Sequence, residues 1–212
     1  MSQPISLKEA ERKVFHSTVN DGLWDIFLGI FFLEFVIAPY LSESMGDFWS
    51  VAVFLPVWAV AYLAIRVIRK KVVEPRIGMV KFGPARISKI KRFSYVMLAF
   101  NCIALILGIW VALSFNRTSG EAIPYMFSIL LLAGFSMAAF FLEFNRLYVY
   151  GLLIALAPVV GEWLWKNGYA AHHGWPITFG VISGIMILVG LLIFIRLMRN
   201  NPIPDNFVSA ES

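Results

Sequence analysis

Six long apolar segments, separated by short polar stretches, occupy most of the chain. A helix needs about 20 mostly apolar residues to cross the hydrocarbon layer of a bilayer, because that layer is about 30 Å thick and each residue rises about 1.5 Å. The pattern therefore predicts an all-α, polytopic membrane protein. Its six transmembrane helices are predicted at approximately Gly22–Leu41, Phe48–Ile68, Ser94–Phe115, Pro124–Phe144, Leu147–Trp165 and Pro176–Ile195.

The composition agrees with a membrane protein. Hydrophobic residues make up 59% of the chain and charged residues 15%, and the mean hydropathy is +0.76. Soluble domains contain about 25% charged residues. We expect a cytoplasmic segment at 1–20, a six-helix membrane domain at 21–196 with a basic cytoplasmic loop at 66–92, and a cytoplasmic tail at 197–212.

The basic residues lie almost entirely in alternate connecting segments. Of the 18 Lys and Arg residues, only Arg117 and Lys166 fall on the opposite side. Because cytoplasmic loops carry an excess of Lys and Arg, both termini are predicted to be cytoplasmic, in a multi-pass protein of the plasma or inner membrane. This topology accounts for the net charge of +5, so no nucleic-acid partner is predicted.

The N-terminal segment has the pattern of an amphipathic helix. Ser6 and Glu9 have the spacing of a capping box, and Leu7, Val14 and Phe15 contribute to one apolar face. Such a helix can lie in the membrane interface or pack on the cytoplasmic end of the protein itself.

The basic loop at 66–92 is the longest predicted connection. Lys and Arg beside a membrane attract anionic lipid, so the loop is a candidate docking surface for anionic headgroups or a protein partner; alternatively, it only determines topology. Its prolines, Pro75 and Pro84, exclude one continuous helix. Between them, Ile77, Met79, Val80 and Phe82 suggest a short extended piece or a hairpin. The docking candidates are Arg69, Lys70, Lys71, Arg76, Lys81, Arg86, Lys89, Lys91 and Arg92.

Two short motifs carry a resemblance to a known family. The first is Asp21-Gly22-Leu23-Trp24-Asp25 at the start of the first span. The second is Pro75-Arg76-Ile77-Gly78-Met79-Val80-Lys81-Phe82 in the basic loop. Together they resemble a family of small prokaryotic multi-span membrane proteins of unknown function. The resemblance covers about a tenth of the chain and implies no activity.

Glu34 is the outstanding polar residue within a predicted span. It lies about 18 Å along the first helix from Gly22, near mid-membrane. Ionisable groups at such depth are costly and usually face the bundle interior or a water-filled path. Glu34 is therefore a candidate proton or ion site, with Asn101 of the third span as a possible companion. The alternative is a structural acid bonded to a neighbouring helix.

Asp21 and Asp25 lie one helical turn apart at the predicted cytoplasmic entrance of the first span. Two carboxylates so placed could hold a divalent cation together with a phosphate headgroup. The simpler interpretation is that they stabilise the positive N-terminal end of the helix.

Other polar residues give weaker signals. Glu143 and Arg146, three residues apart, predict a local ion pair. Glu162, His172 and His173 could converge on a metal, but their spacing matches no metal-binding motif. Cys102 is the single cysteine. The sequence predicts no metal site, no cofactor and no catalytic residue.

These features favour an accessory or interaction protein that docks a protein partner or anionic lipid through its basic loop. The alternative is a small oligomeric transporter or channel that uses Glu34. An enzyme is not favoured, because no nucleophile and base are placed together. A membrane protein partner or a homo-oligomer is compatible with the pattern. Gly180 and Gly184 form a GxxxG pair that permits close helix contact, either within the chain or between two copies.

Overall fold

The computed structural model describes residues 21–77, 84–113 and 122–202, and within these ranges it contains helices and no strand. Six helical stretches are long and apolar enough to cross a membrane, which confirms the six predicted spans. They are Leu23–Met45, Asp47–Arg76, Lys91–Val111, Ala122–Leu142, Arg146–Lys166 and His172–Asn200. The predicted N-terminal amphipathic helix and most of the predicted tail lie outside the described residues.

Nine α-helices are present in the described part of the chain. They are α1 Leu23–Phe32, α2 Glu34–Met45, α3 Asp47–Ala52, α4 Phe54–Ile68, α5 Glu74–Ile77, α6 Pro84–Leu113, α7 Ala122–Leu142, α8 Arg146–Lys166 and α9 Trp175–Asn200. A π-helical turn, Arg69–Val73, joins α4 to α5, and a 3₁₀ turn, His172–Gly174, precedes α9.

Each of the first two spans is interrupted at a single residue, where the helix is locally tightened. Leu33 separates α1 from α2, and its N–H is shared between the carbonyls of Gly29 and Ile30 at 3.2 and 3.3 Å. Val53 separates α3 from α4 one turn before Pro56. A proline removes one helical hydrogen bond and crowds the carbonyl four residues earlier, which explains the second interruption. Both residues keep right-handed helical dihedral angles, so each span continues in one direction.

The described parts of the basic loop at 66–92 are helical, so the expectation of extended structure is wrong at Ile77. Helical structure continues to Ile77 and resumes at Pro84; residues 78–83 lie outside the described ranges. In a regular α-helix, Pro75 would clash with the carbonyl of Lys71. The wider π-helical turn includes Lys71 and makes room for that ring.

The chain divides into two compact units. The first comprises residues 1–82 and 183–212, and its described part contains the first two spans and most of α9. At one end of this unit, Leu23, Ile65 and Val73 form a buried cluster, with Phe194 and Leu197 of α9 packed against it. Burial of these side chains brings together the start of α1, the end of α4 with its π-turn, and the end of α9.

The second unit, residues 83–182, contains α6, α7, α8 and the first turns of α9. Helix α7 ends in a Schellman motif, in which the N–H of Phe144 donates to the carbonyl of Ala139 at 3.1 Å. Phe144 and Ala139 are both buried. Glu143 occupies the left-handed position of this motif with φ 53°. Glycine usually occupies that position, because a side chain there costs about 1–2 kcal/mol.

Candidate functional site

Asp21 is the centre of a cluster of charged residues in the first unit. This cluster lies at the end of the unit where Leu23, Ile65 and Val73 are buried. The Asp21 side chain is completely buried. One carboxylate oxygen, Oδ1, accepts a hydrogen bond from the Leu23 N–H at 3.0 Å. The other, Oδ2, accepts two from Arg69, at 2.9 Å from Nε and 2.6 Å from Nη2. Asp21 therefore caps α1 and binds a cation 48 residues away in the sequence.

The π-helical turn directs Arg69 toward this carboxylate. Arg69 also lies over the ring of Trp24, with its guanidinium carbon 5.6 Å from the ring centroid. Val73, at the other end of the turn, is buried in the apolar cluster. One cation and one apolar side chain of this turn therefore face the interior of the first unit. Turns of π-helix are often found at functional sites.

Asp25 is also completely buried, one turn beyond Asp21 in the first turn of α1. Since Asp21 accepts the Leu23 N–H and pairs with Arg69, its geometry agrees with the helix-terminus interpretation rather than with a cation site. Among the described residues, no group of three or more His, Cys, Asp or Glu side chains is arranged to hold a metal ion.

Arg76 contacts the last helix. Its Nη1 donates to the carbonyl of Met198 at 3.1 Å and to that of Asn201 at 3.4 Å. The last carbonyls of a helix lack partners within the helix and carry partial negative charge. Arg76, a predicted docking residue, therefore serves as a cap for the C-terminal end of α9.

The remaining docking candidates differ in their exposure. Lys89 Nζ lies 2.5 Å from Glu143 Oε1. Glu143 therefore has a partner on α6 that the sequence around Glu143 did not indicate. The exposed cations are Lys70 and Lys71, with the neighbouring Arg66, in the first unit, and Lys91 and Arg92 in the second. Lys81 and the side chain of Arg86 lie outside the described residues.

Glu34 is the first residue of α2, directly after the tightened turn at Leu33. It is 8% exposed. Within the described residues, no side chain or backbone group forms a hydrogen bond or ion pair with its carboxylate. Asn101 lies in the other unit, is exposed, and donates its side-chain amide to the carbonyl of Met97 on its own helix at 2.9 Å.

Glu162 and His173, weighed above as metal ligands, are brought together by the turn that precedes α9. His173 Nδ1 lies 2.9 Å from Glu162 Oε2, and Lys166 Nζ lies 4.0 Å from Glu162 Oε1. One carboxylate is thus shared by two basic side chains. This arrangement stabilises the turn rather than leaving ligand atoms directed at a common point.

No protein-family model matches the chain, and searches of curated proteins and of solved structures returned no match. The function is therefore inferred from the geometry. In the described part of the chain, the charged residues make direct contacts between Asp21 and Arg69, between Arg76 and the end of α9, and between Lys89 and Glu143. The charge pattern of the sequence predicted that these residues lie at span ends. It did not indicate which residues form pairs.

Proposed function

We propose that the protein is a multi-pass accessory protein of the cell membrane, with both termini in the cytoplasm, that docks anionic lipid headgroups through an exposed basic surface. This surface consists of Arg66, Lys70 and Lys71, and we refer to it as the π-turn patch. The observation that carries the proposal is that Arg69 is bound to Asp21, whereas Lys70 and Lys71 of the same π-helical turn, and Arg66 near the end of α4, are exposed.

Internal anchoring makes the π-turn patch a preorganised surface. The turn is held on one side by Arg69 and Val73 and is followed by Arg76, which is bound to the end of α9. Cations on an ordered helical turn lose less conformational freedom on binding than cations on a flexible loop. The patch can therefore gather headgroups without first ordering its own backbone.

The position of the patch favours lipid over a protein partner. The patch lies within the last part of the second span, Asp47–Arg76, and the ends of a membrane-spanning helix lie beside lipid headgroups. Each Lys or Arg near an anionic leaflet contributes about 1 kcal/mol, and this attraction decays within a Debye length. The excess of Lys and Arg on this side of the predicted topology supports its placement at the cytoplasmic leaflet.

The experiment uses Trp24 as a local reporter, because it lies beside Arg69. The full chain is reconstituted in nanodiscs that contain brominated phosphatidylglycerol or brominated phosphatidylcholine, and tryptophan quenching is measured. The signal of a Trp24→Phe variant is subtracted to isolate Trp24. We expect preferential quenching by phosphatidylglycerol. The triple variant Arg66→Gln, Lys70→Gln, Lys71→Gln should lose several-fold of that preference, with about 1 kcal/mol per charge as the upper limit.

A charge-preserving variant provides the matched control. Arg66→Lys, Lys70→Arg, Lys71→Arg should keep the preference, and about 1 M salt should remove it, because the Debye length falls to about 3 Å. An unchanged preference in the glutamine variant would overturn the proposal. If that result were accompanied by an acidic protein that co-purifies with the wild type and is lost from the glutamine variant, the patch would be a protein-docking surface instead.

A second candidate function rests on a different observation. Glu34 is nearly buried in the first span and has no described partner for its carboxylate. Acids within spans commonly mark ion or proton pathways, so a small transporter or channel is the alternative. It is tested by measuring ion or proton flux through the Glu34→Gln variant.

A further inference from the structure

The second unit contains an open groove of about 380 Å³ between the start of α6 and the end of α7. It is lined by Ser88, Lys89 and Arg92 on one side and by Phe140 and Phe141 on the other. Arg92 lies four positions after Ser88 and three after Lys89, so its side chain neighbours both of theirs on the surface of α6. The groove thus has a polar wall with two cations and a hydroxyl group, opposed by an aromatic wall.

The location of the groove matches the boundary between headgroups and hydrocarbon. The third span begins at Lys91 and the fourth ends at Leu142, so the groove lies where both spans leave the apolar layer. Phe140 is 66% exposed, so its ring is available for contact with a lipid acyl chain. Basic pockets between membrane helices bind the headgroups of anionic lipids.

The Lys89–Glu143 ion pair shapes this groove. Glu143 reaches Lys89 at 2.5 Å from the left-handed position that ends α7. Holding a non-glycine residue there costs about 1–2 kcal/mol, and such strain tends to persist at functional sites. The pair ties the two walls together. The lining of the groove contains two cations, Lys89 and Arg92, whose positive charge complements a phosphodiester group.

We infer that this groove is a binding site for one glycerophospholipid. The phosphodiester would contact Arg92, Lys89 and the Ser88 hydroxyl, and the acyl chains would extend over Phe140 onto the apolar surfaces of α6 and α7. A volume of about 380 Å³ is in the range of small-ligand sites, which suits a headgroup whose acyl chains stay outside. This site uses none of the π-turn patch residues, so it can be tested independently of the proposed function.

The test is native mass spectrometry of the full chain, purified in mild detergent and supplied with phosphatidylglycerol. We expect one retained lipid per chain. Arg92→Gln should weaken retention about fivefold, the effect of one basic charge at a lipid surface. Lys91→Gln is the matched control, because Lys91 is an exposed cation on the same helix that does not line the groove. It should retain lipid as the wild type does.

A second pair of variants tests the aromatic wall without altering charge. Phe140→Ala should weaken retention, whereas Leu98→Ala, which removes an equally exposed apolar side chain from α6, should not. Both residues are exposed, so neither variant is expected to disturb folding. The triple glutamine variant of the π-turn patch should leave retention of this lipid unchanged, which separates the two proposals.

Three results would overturn the inference. Absence of retained lipid from the wild type would exclude a discrete site. Equal losses in Arg92→Gln and Lys91→Gln would mean that the lipid is held by charge in general. Displacement of the lipid by millimolar inorganic phosphate would mean that the groove takes a phosphate from solution. Resistance to inorganic phosphate, together with sensitivity to Arg92→Gln and Phe140→Ala, would establish the phospholipid site.

Discussion

Gly22 and Gly190 bring the backbones of the first and last spans into direct contact. A Cβ atom on Gly190 would lie 2.7 Å from the carbonyl oxygen of Gly22 and 2.9 Å from the amide nitrogen of Ile26. Gly22 itself has φ 80°, in the left-handed region that favours glycine. The contact therefore requires glycine on both sides, for space on α9 and for both space and conformation at the start of α1.

Replacing Gly190 by alanine should destabilise the first unit. The overlap includes backbone atoms of Gly22 and Ile26, as well as the Ile26 side chain, and backbone atoms cannot move aside as the tip of a side chain can. Overpacking of this kind costs about 1–3 kcal/mol. Thermal unfolding in detergent is the measurement. Gly184→Ala on the same helix is the matched control, because a Cβ there meets no heavy atom within 4 Å. Equal losses in the two variants would contradict the close contact.

Asp21→Ala should cost about 1–3 kcal/mol, because it removes the acceptor of the buried Leu23 N–H and the partner of the partly exposed Arg69. Asp21→Asn should cost less, since its amide oxygen can still accept the Leu23 N–H. A double-mutant cycle with Arg69→Met measures the coupling. We expect the double variant to be markedly less destabilised than the sum of the single variants. Additive losses would show that the ion pair contributes nothing.

Arg76→Gln should loosen the end of α9. The substitution removes a cation that donates to the carbonyls of Met198 and Asn201, an interaction of about 1 kcal/mol at a helix terminus. Hydrogen exchange of the Asn201 amide, which bonds to the Leu197 carbonyl, should accelerate about fivefold. Lys71→Gln, an exposed charge on the neighbouring turn, should leave that exchange unchanged. Equal acceleration in both variants would argue against a specific cap.

The six spans were predictable because length and hydropathy are properties of a single segment. The docking candidates Arg69, Arg76 and Lys89 were located at span ends by the same pattern. Their partners were not, because the pattern gives no information on the rotation of one helix relative to another. Asp21 and Arg69 are 48 positions apart and Lys89 and Glu143 are 54, and each pair needs the packed structure to meet.

The two motifs that carry the family resemblance also gave no information on which helix they contact. Asp21 and Gly22 belong to the first motif and Arg76 to the second. In the structure, Gly22 contacts Gly190 and Arg76 contacts the end of the same helix, α9. Both motifs are evident in the sequence. The helix that both of them contact, α9, contains no motif that would indicate these contacts.

The expectation of extended structure after Pro75 was wrong at Ile77, because periodicity does not reveal a π-helical turn that accommodates a proline.

Glu34→Gln decides the second candidate function. The amide keeps the size and shape of the side chain and removes the ionisable group, so the fold should be retained. If the protein conducts protons through this site, flux into proteoliposomes under an imposed membrane potential, followed with an internal pH-sensitive dye, should fall at least about tenfold. A factor of ten corresponds to about 1.4 kcal/mol in the barrier. The unfolding temperature should remain unchanged.

Asn101→Ala is the control for that experiment. Asn101 is exposed and bonds within its own helix, so its loss should leave any flux intact. Wild-type protein without flux above empty vesicles, or equal flux in wild type and Glu34→Gln, would contradict the transport hypothesis. Neither result would alter the lipid preference of the π-turn patch, because Glu34 belongs to the first span and is not one of the three patch residues, which lie on the second span.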